Sequence, residues 1–519
     1  MLPTMKKLLF LFLISMMSMQ VSAQEVSSVQ NLNRAMEMLD TVVSKFMDPN
    51  MKMAIRYKVD ADAPDGTASV WDYTSAIEAT CSVLEALKEM QNVEAVDYAT
   101  NFPKYRTLLS NLFGGLGYYM GTYNLTSYTQ NQKQWSVYGV NRSSSFGTAA
   151  VSGVMNVYDD QEWIIRELIR GYKVTNNRTY LTKAEYLVSY VLDGWDCTLN
   201  GNGEESGGIT WGPGYTSKHS CSNGPLVSPL VWLSELYSGK DDKLTYYKIA
   251  ADGTRYQEVK TKQAAYLDFA EKIYAYQRDS LFDASLGVYY DMKGGGGDVS
   301  YNTVNGVVYR AHVNLGSPGG TRYTYNAGTM ISGGTDLYRV TGNESYLTDA
   351  KNLSSRSYTY FPTGVMVNNK VYRSYPSEGF SPWFDDVLLR GALALCDVTP
   401  YAPTVRIAGN FQDNLDLAYT SYNKKGVLPR DLVKGWDTSD YYVMFQLAYA
   451  SEYAMLVKYQ KKNENTAGIL VIGAGEQAKI VSVYDVSGQL VQANVSKESA
   501  LCGLNRGYYI VDGNKYVVK

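Results

Sequence analysis

Two consecutive aspartates, Asp159 and Asp160, open the segment Val157-Tyr158-Asp159-Asp160-Gln161-Glu162-Trp163, just after a stretch rich in Gly and Ser. Paired carboxyls suit bond cleavage in which one group attacks or activates and the other donates a proton. At a glycosidic bond the two flank the scissile oxygen and lie about 5–5.5 Å apart when configuration is retained. Two close like charges also raise one of the two pKa values, as an acid requires. The same residues meet a structural need, because acidic side chains in a first helical turn complement the helix dipole. Asp241-Asp242 in a turn and Asp385-Asp386 after Trp383-Phe384 repeat the dipeptide. Only context separates the three pairs.

Two further stretches carry candidate ligand contacts. Trp195-Asp196-Cys197, Gly207-Gly208-Ile209-Thr210-Trp211, Lys218 and Ser222-Asn223-Gly224 fall within one Gly-rich region. Glycines let a ligand approach the backbone and Trp offers a flat face to a sugar ring, so Gly207, Gly208, Trp211 and Asn223 are candidate binding residues. The alternative is a long surface loop anchored by its Trp. Tyr323-Thr324-Tyr325-Asn326-Ala327-Gly328 leads into a helix. There Tyr325 is a candidate wall residue, and Asn326 either caps the helix or hydrogen-bonds hydroxyls.

The remaining composition narrows the chemistry. The 519 residues carry 48 Lys+Arg against 51 Asp+Glu with no basic block, which argues against a nucleic-acid partner. Two histidines, His219 and His312, exclude a His-rich metal site. The 46 tyrosines, each a flat apolar face with a hydroxyl, suit either a Tyr-rich core or a surface that grips sugars. Cys81, Cys197, Cys221, Cys396 and Cys502 are odd in number and widely spaced, so they form no disulfide scaffold. Cys197 and Cys221 flank the Gly-rich region and could bridge.

The elements that must position these residues are helices. Leu32, Ala35, Met36, Leu39, Val42, Val43 and Phe46 follow amphipathic spacing, and similar segments recur to about residue 461, giving about twelve. A repeat runs through them: Leu168-Ile-Arg-Gly-Tyr-Lys-Val-Thr-Asn-Asn-Arg-Thr-Tyr-Leu-Thr-Lys-Ala184 matches Leu337-Tyr-Arg-Val-Thr-Gly-Asn-Glu-Ser-Tyr-Leu-Thr-Asp-Ala350. A looser copy spans 236–270. Each copy reads as a helical hairpin whose apolar face is buried only by stacking on neighbours. Six hairpins predict an open superhelix or a closed all-α (α/α)6 toroid over 24–464. Beyond the polar stretch 461–465 the period drops to two, with strands expected over 468–472, 480–484, 489–491, 508–511 and 516–518, a small all-β sandwich module over 465–519. At the other end, Lys6-Lys7, the apolar run 8–17 and Val21-Ser22-Ala23 form a signal-peptide pattern over 1–23. That pattern, with no later apolar run long enough to span a membrane, predicts an exported protein.

Taken together, Val157-Tyr158-Asp159-Asp160 with Trp163, Tyr180-Leu181 and Ala184, Gly207-Gly208-Ile209-Thr210-Trp211, Asn223-Gly224, Thr324-Tyr325-Asn326-Ala327-Gly328 and the Leu337–Ala350 repeat resemble glycoside hydrolase family 76 over about 71–460. The resemblance implies a secreted (α/α)6 endo-α-1,6-mannanase that acts with retention and needs no metal or organic cofactor. It further implies Asp159 as nucleophile and Asp160 as acid/base. Three departures stand out: Asp385 replaces a Lys of the family's later Phe-Lys pair, and insertions occupy about 241–258 and 293–318. Val483-Tyr-Asp-Val-Ser-Gly488, Leu504-Asn-Arg-Gly-Tyr-Tyr-Ile-Val511 and the terminal Val517-Val518-Lys519 are similar to sorting domains of the type IX secretion system of Bacteroidetes. That likeness implies contact with outer-membrane secretion machinery and a place at the cell surface or in the medium, with the periplasm as the alternative. The expected partner is an α-mannan-like polysaccharide bound by a monomer. Competing readings are a non-catalytic glycan-binding toroid, a carbohydrate-binding tail, and an (α/α)6 hydrolase or lyase acting on another polysaccharide.

Overall fold

Helix formation follows the apolar spacing. The computed structural model describes residues 27–295, 298–472, 480–496, 500–501, 504, 507–511 and 514–518. The signal-peptide pattern over 1–23, Cys502 and Lys519 lie outside the described residues. Twelve α-helices are present among them: α1 Ser28–Phe46, α2 Val70–Glu89, α3 Tyr98–Gly115, α4 Tyr158–Thr175, α5 Arg178–Leu192, α6 Gly224–Leu236, α7 Lys262–Leu281, α8 Thr324–Thr341, α9 Glu344–Tyr360, α10 Ser381–Val398, α11 Ala402–Ser421 and α12 Met444–Ile472. The chain divides into two compact units, Val29–Val457 and the remainder.

Within Val29–Val457 consecutive helices pair as hairpins: α2 with α3, α4 with α5, α6 with α7, α8 with α9 and α10 with α11. The two repeat copies turn alike. Asn176 (φ 59) ends α4 and Gly342 (φ 70) ends α8, both left-handed, and the next residue, Asn177 or Asn343, caps the following helix through its side chain. Even-numbered helices α2, α4, α6, α8 and α10 pack on one another as an inner ring. The ring closes where Ser82 of α2 and Ser451 of α12 share a 2.9 Å hydrogen bond. Odd-numbered helices form the outer ring, where α1 joins its neighbours through Arg34–Asp416 to α11 and Lys104–Asp40 to α3. The result is an (α/α)6 toroid.

Position in the ring explains burial. Outer helix α9 buries one stripe, Leu347, Ala350, Leu353, Ser354 and Ser357, whereas inner helix α2 is buried almost all round. Helices α8 and α10 approach closely: a Cβ on Gly328 would meet Val387 O at 2.3 Å, and one on Gly391 would meet Gly328 O at 2.5 Å. Both insertions form antiparallel hairpins, Lys243–Ile249 with Arg255–Thr261 and Tyr301–Val304 with Val307–Arg310.

The expected strand at 468–472 is instead the end of α12, which runs through the polar stretch at 461–465 to Ile472. That stretch holds no Pro, and the single Gly468 costs a helix only about 1 kcal/mol, so nothing there ends it. In the second unit, Leu490–Ser496, Ile480–Asp485, Gly507–Val511 and Asn514–Val518 form, in that order, a four-stranded antiparallel sheet. Val481, Val483, Ala500 and Val511 make its core. The carboxylate of Asp485 accepts from the Ser487 and Gln489 amides and so shapes the turn at Gly488 (φ 87).

Candidate active site

The N-terminal ends of α2, α4, α8 and α10 and the loop leading into α6 converge on one cleft of about 1030 Å³. Helix N-termini carry partial positive charge, which favours anionic groups at their mouths. Asp159 and Asp160, in the first turn of α4, both line this cleft. The residue before the helix, Val157, is extended and makes no side-chain cap. The acidic pair therefore sits just inside the helix.

The two carboxyls have different surroundings. Asp159 is well supplied with donors: Trp211 Nε1 reaches its Oδ2 at 3.2 Å, the Asp160 amide reaches its Oδ1 at 2.8 Å, and the Cys221 thiol also hydrogen-bonds it. Burial raises its pKa to about 6 against the pull of these donors. Asp160 is 6% exposed, and burial pushes it well above the carboxylate range, with the charges of Asp159 and Asp72 adding to the shift. One turn deeper, Glu162 is fully buried with both carboxyl oxygens unpartnered, and burial together with Asp159 raises it strongly as well. At neutral pH the arrangement favours a charged Asp159 beside a protonated Asp160.

Other candidates separate into wall and scaffold. Trp211 lines the cleft, with its ring stacked on His219 at 4.9 Å and 22°. Burial lowers the His219 pKa to about 4, leaving the ring neutral. Tyr325 also lines the cleft, and its hydroxyl donates to Asp291 Oδ1 at 3.2 Å. Gly207, Gly208, Asn223 and Asn326 are not among the lining residues. Gly208 (φ 77) packs on Tyr276, where a Cβ would lie 2.4 Å from the ring. Gly207 accepts a hydrogen bond from Lys218 through its carbonyl. Asn223 is fully buried and ties the loop together, accepting from the Ile209 amide at 2.9 Å and donating to the His219 carbonyl at 2.8 Å. Asn326 lies inside α8 rather than at its cap and is fully buried. Asp196 pairs with Lys218 and His312, each at 2.8 Å; burial opposes its charge, but His312 and Lys218 hold its pKa down at about 2. This group braces the loop from behind. Cys197 and Cys221 are both free thiols, so the possible bridge is not formed.

The rival acidic pairs face elsewhere. Asp386 is fully buried and bound to Arg390 at 2.8 Å, and Asp385 is buried against a separate small cavity of about 30 Å³. Asp241 and Asp242 are exposed.

Sequence reasoning missed one wall. Trp71, Trp163, Phe380, Trp383 and Phe384 line the cleft as one cluster, with Trp71 and Trp383 edge to face at 5.3 Å and Trp163 and Trp383 at 4.9 Å. Trp383 Nε1 donates to Glu78 at 3.0 Å and so fixes its ring. Asp291 was also missed. The available signal was the recurrence of aromatic residues at or near the starts of α2, α4, α8 and α10. Among the described residues no cluster of three or more His, Cys, Asp or Glu is placed to hold a metal ion. No described helix is long and apolar enough to cross a membrane.

The model of glycosyl hydrolase family 76 matches residues 108–259 and 245–427, more than half the chain. The chain belongs to glycosyl hydrolase family 76. The family 76 match contains Asp159–Asp160 and the cleft residues from Val140 to Phe384, while Ser69, Trp71 and Lys434 of the cleft lie outside it. A mannan endo-1,6-alpha-mannosidase of Saccharomyces cerevisiae is 24% identical over 193 residues, which are 37% of this chain and 34% of the yeast protein. The matched part thus spans about a third of that relative. A family 76 mannosidase from Bacteroides thetaiotaomicron shares the fold at a TM-score of 0.60, with 21% identity over 83% of this chain and 99% of that one. An α-1,6-mannanase from Salegentibacter sp., solved as an inactive variant with two consecutive aspartates changed to asparagine and bound to α-1,6-mannotriose, aligns at a TM-score of 0.52. Its identity is 18% over 82% of this chain and 99% of that one.

Proposed function

We propose that the protein is an exported glycoside hydrolase that cleaves α-1,6-mannan by a retaining double displacement. The observation that carries this reading is the unequal pair in an aromatic cleft: Asp159, held by three donors with a pKa of about 6, beside Asp160, kept protonated by burial and by its neighbour's charge. In the first step Asp159 attacks the anomeric carbon while Asp160 gives its proton to the departing oxygen, leaving a mannosyl ester. In the second step Asp160, now a carboxylate, takes a proton from water as that water attacks the anomeric carbon and expels Asp159. Trp211, Tyr325 and the Trp71–Trp383 cluster supply sugar-facing walls. The yeast relative's activity and the paired aspartates of the inactive Salegentibacter variant support the choice of substrate and residues. The 1–23 signal pattern supports export. The strand-rich tail at 480–518 supports a sorting role, with the enzyme acting at the cell surface or in the medium.

The test is hydrolysis of linear α-1,6-mannan by wild type, Asp159→Asn and Asp160→Asn. Each variant should fold and should lose about 10³-fold or more in turnover, because both steps need both groups. Near-normal turnover in either would overturn the assignment.

A further inference from the structure

A second groove of about 580 Å³ lies beside the cleft, within the roughly 300–1,000 Å³ of small-molecule sites. It is built from the Met120–Leu125 and Lys133–Tyr138 hairpin with its connecting loop, the 152–154 turn, the 213–214 loop and the inserted hairpin at 301–310. Val154, 54% exposed, lines both the groove and the cleft and forms the ridge between them.

The walls are fixed to one another. Arg310, 3% exposed, donates its amide to the Ser127 carbonyl at 2.9 Å and its guanidinium to the carbonyls of Pro213, at 3.1 Å, and Tyr215. One residue thus ties the inserted hairpin to the first hairpin's loop through its backbone and to the loop that carries Trp211 and Tyr215 in the cleft through its side chain. The chemistry of the lining is distinctive. None of the residues lining the groove is charged. Exposed Asn124, Asn131 and Gln132 share the lining with Tyr301, which is 52% exposed, and Thr126 Oγ1 orients two of these amides, donating to Asn131 Oδ1 at 3.0 Å and accepting from Gln132 Nε2 at 3.1 Å. Neutral donors and acceptors beside an open aromatic face match a neutral sugar, which offers hydroxyls on its rim and C–H groups on its faces. A charged ligand would find no counter-charge there, and the amides and hydroxyls among the apolar side chains favour a ligand with hydroxyls over a purely apolar one.

We infer that this groove binds neutral mannosyl units of the same polysaccharide that lie outside the cleft, with Tyr301 as the stacking residue and Asn131 and Gln132 as hydroxyl partners. The inference rests on the mannan reading above. The units belong either to a side branch or to the backbone continuing over the Val154 ridge, and the experiment separates these sources.

The experiment compares wild type, Tyr301→Ala and Gln132→Ala on branched α-mannan, on the same mannan after debranching and on α-1,6-mannotetraose. A loss in kcat/KM of about five- to tenfold on branched mannan alone, the scale of one aromatic contact, supports a branch site. The same loss on both polymers with the tetraose unchanged supports backbone binding. Equal rates for variants and wild type on both polymers would overturn the proposal. Affinity electrophoresis in gels containing branched mannan gives an independent readout. If wild type hydrolyses no mannan yet is retarded, and Tyr301→Ala is retarded less, the hydrolase reading fails while the groove stands. Equal retardation of variant and wild type would count against the groove.

Discussion

Replacing Trp211 with Phe would keep an aromatic ring against His219 but remove the indole N–H that reaches Asp159 Oδ2 at 3.2 Å. A hydrogen bond to a charged group contributes about 1.5–3 kcal/mol. At about 1.4 kcal/mol per pH unit, its loss raises the Asp159 pKa from about 6 to roughly 7–8. The nucleophile must be ionised, so activity falls as pH drops through this pKa. The acid limb of kcat/KM on α-1,6-mannan should therefore move up by about 1–2 pH units in Trp211→Phe. At pH 6.5 the ionised fraction of Asp159 drops about 3- to 25-fold, whereas by pH 9 most of that loss is recovered. Rates measured from pH 4.5 to 9.5 give the limb directly. An unmoved acid limb, or an equal loss at every pH, would refute the view that the indole sets the ionisation of Asp159.

Three further outcomes follow from the same geometry. Asp159→Asn should make the fold more stable at pH 7–8, by up to about 3 kcal/mol less whatever its partial exposure to the cleft and its lost hydrogen bonds take away. The sign follows from a folded pKa of about 6 above an unfolded value near 4: the wild-type carboxyl destabilises the fold above pH 6 and not below pH 4, so the difference in urea midpoint should vanish in acid. Gly208→Ala should lower stability by about 2–3 kcal/mol in urea unfolding, through the left-handed backbone at φ 77 and the 2.4 Å clash with Tyr276. Asp385→Asn should leave turnover on α-1,6-mannan close to wild type, since Asp385 lies outside the cleft and burial already keeps it protonated; a loss comparable to that of Asp160→Asn would show that it takes part in the chemistry.

The helical hairpins were legible because their determinants are local. Thr175-Asn176-Asn177 and Thr341-Gly342-Asn343 encode a left-handed stop followed by a cap within three residues, and the Leu and Ala positions of the next helix face inward at fixed spacing. The end of α12 was misread because an apolar run of five residues at 468–472 is compatible with strand or helix. Residue types around the cleft were legible, but their facing was not. Asn223 and Asn326 are buried polar residues near the cleft: Asn223 bonds the Ile209 amide and the carbonyls of Ile209 and His219, and Asn326 donates to the Tyr290 carbonyl while its Oδ1 is buried without a partner. Gly207 and Gly208 serve the packing of Tyr276 and Lys218 rather than an approach to the cleft. The aromatic wall joins Trp71 to Trp383, residues more than 300 positions apart, which meet only because inner helices α2 and α10 both start at the same end of the ring.

The most direct measurement is the anomeric configuration of the first product released from α-1,6-mannan, followed by proton NMR before mutarotation. A charged Asp159 attacking from the face opposite the leaving oxygen, followed by a second inversion, predicts the α-anomer. First formation of the β-anomer would contradict the assignment of Asp159 and Asp160 as nucleophile and acid/base.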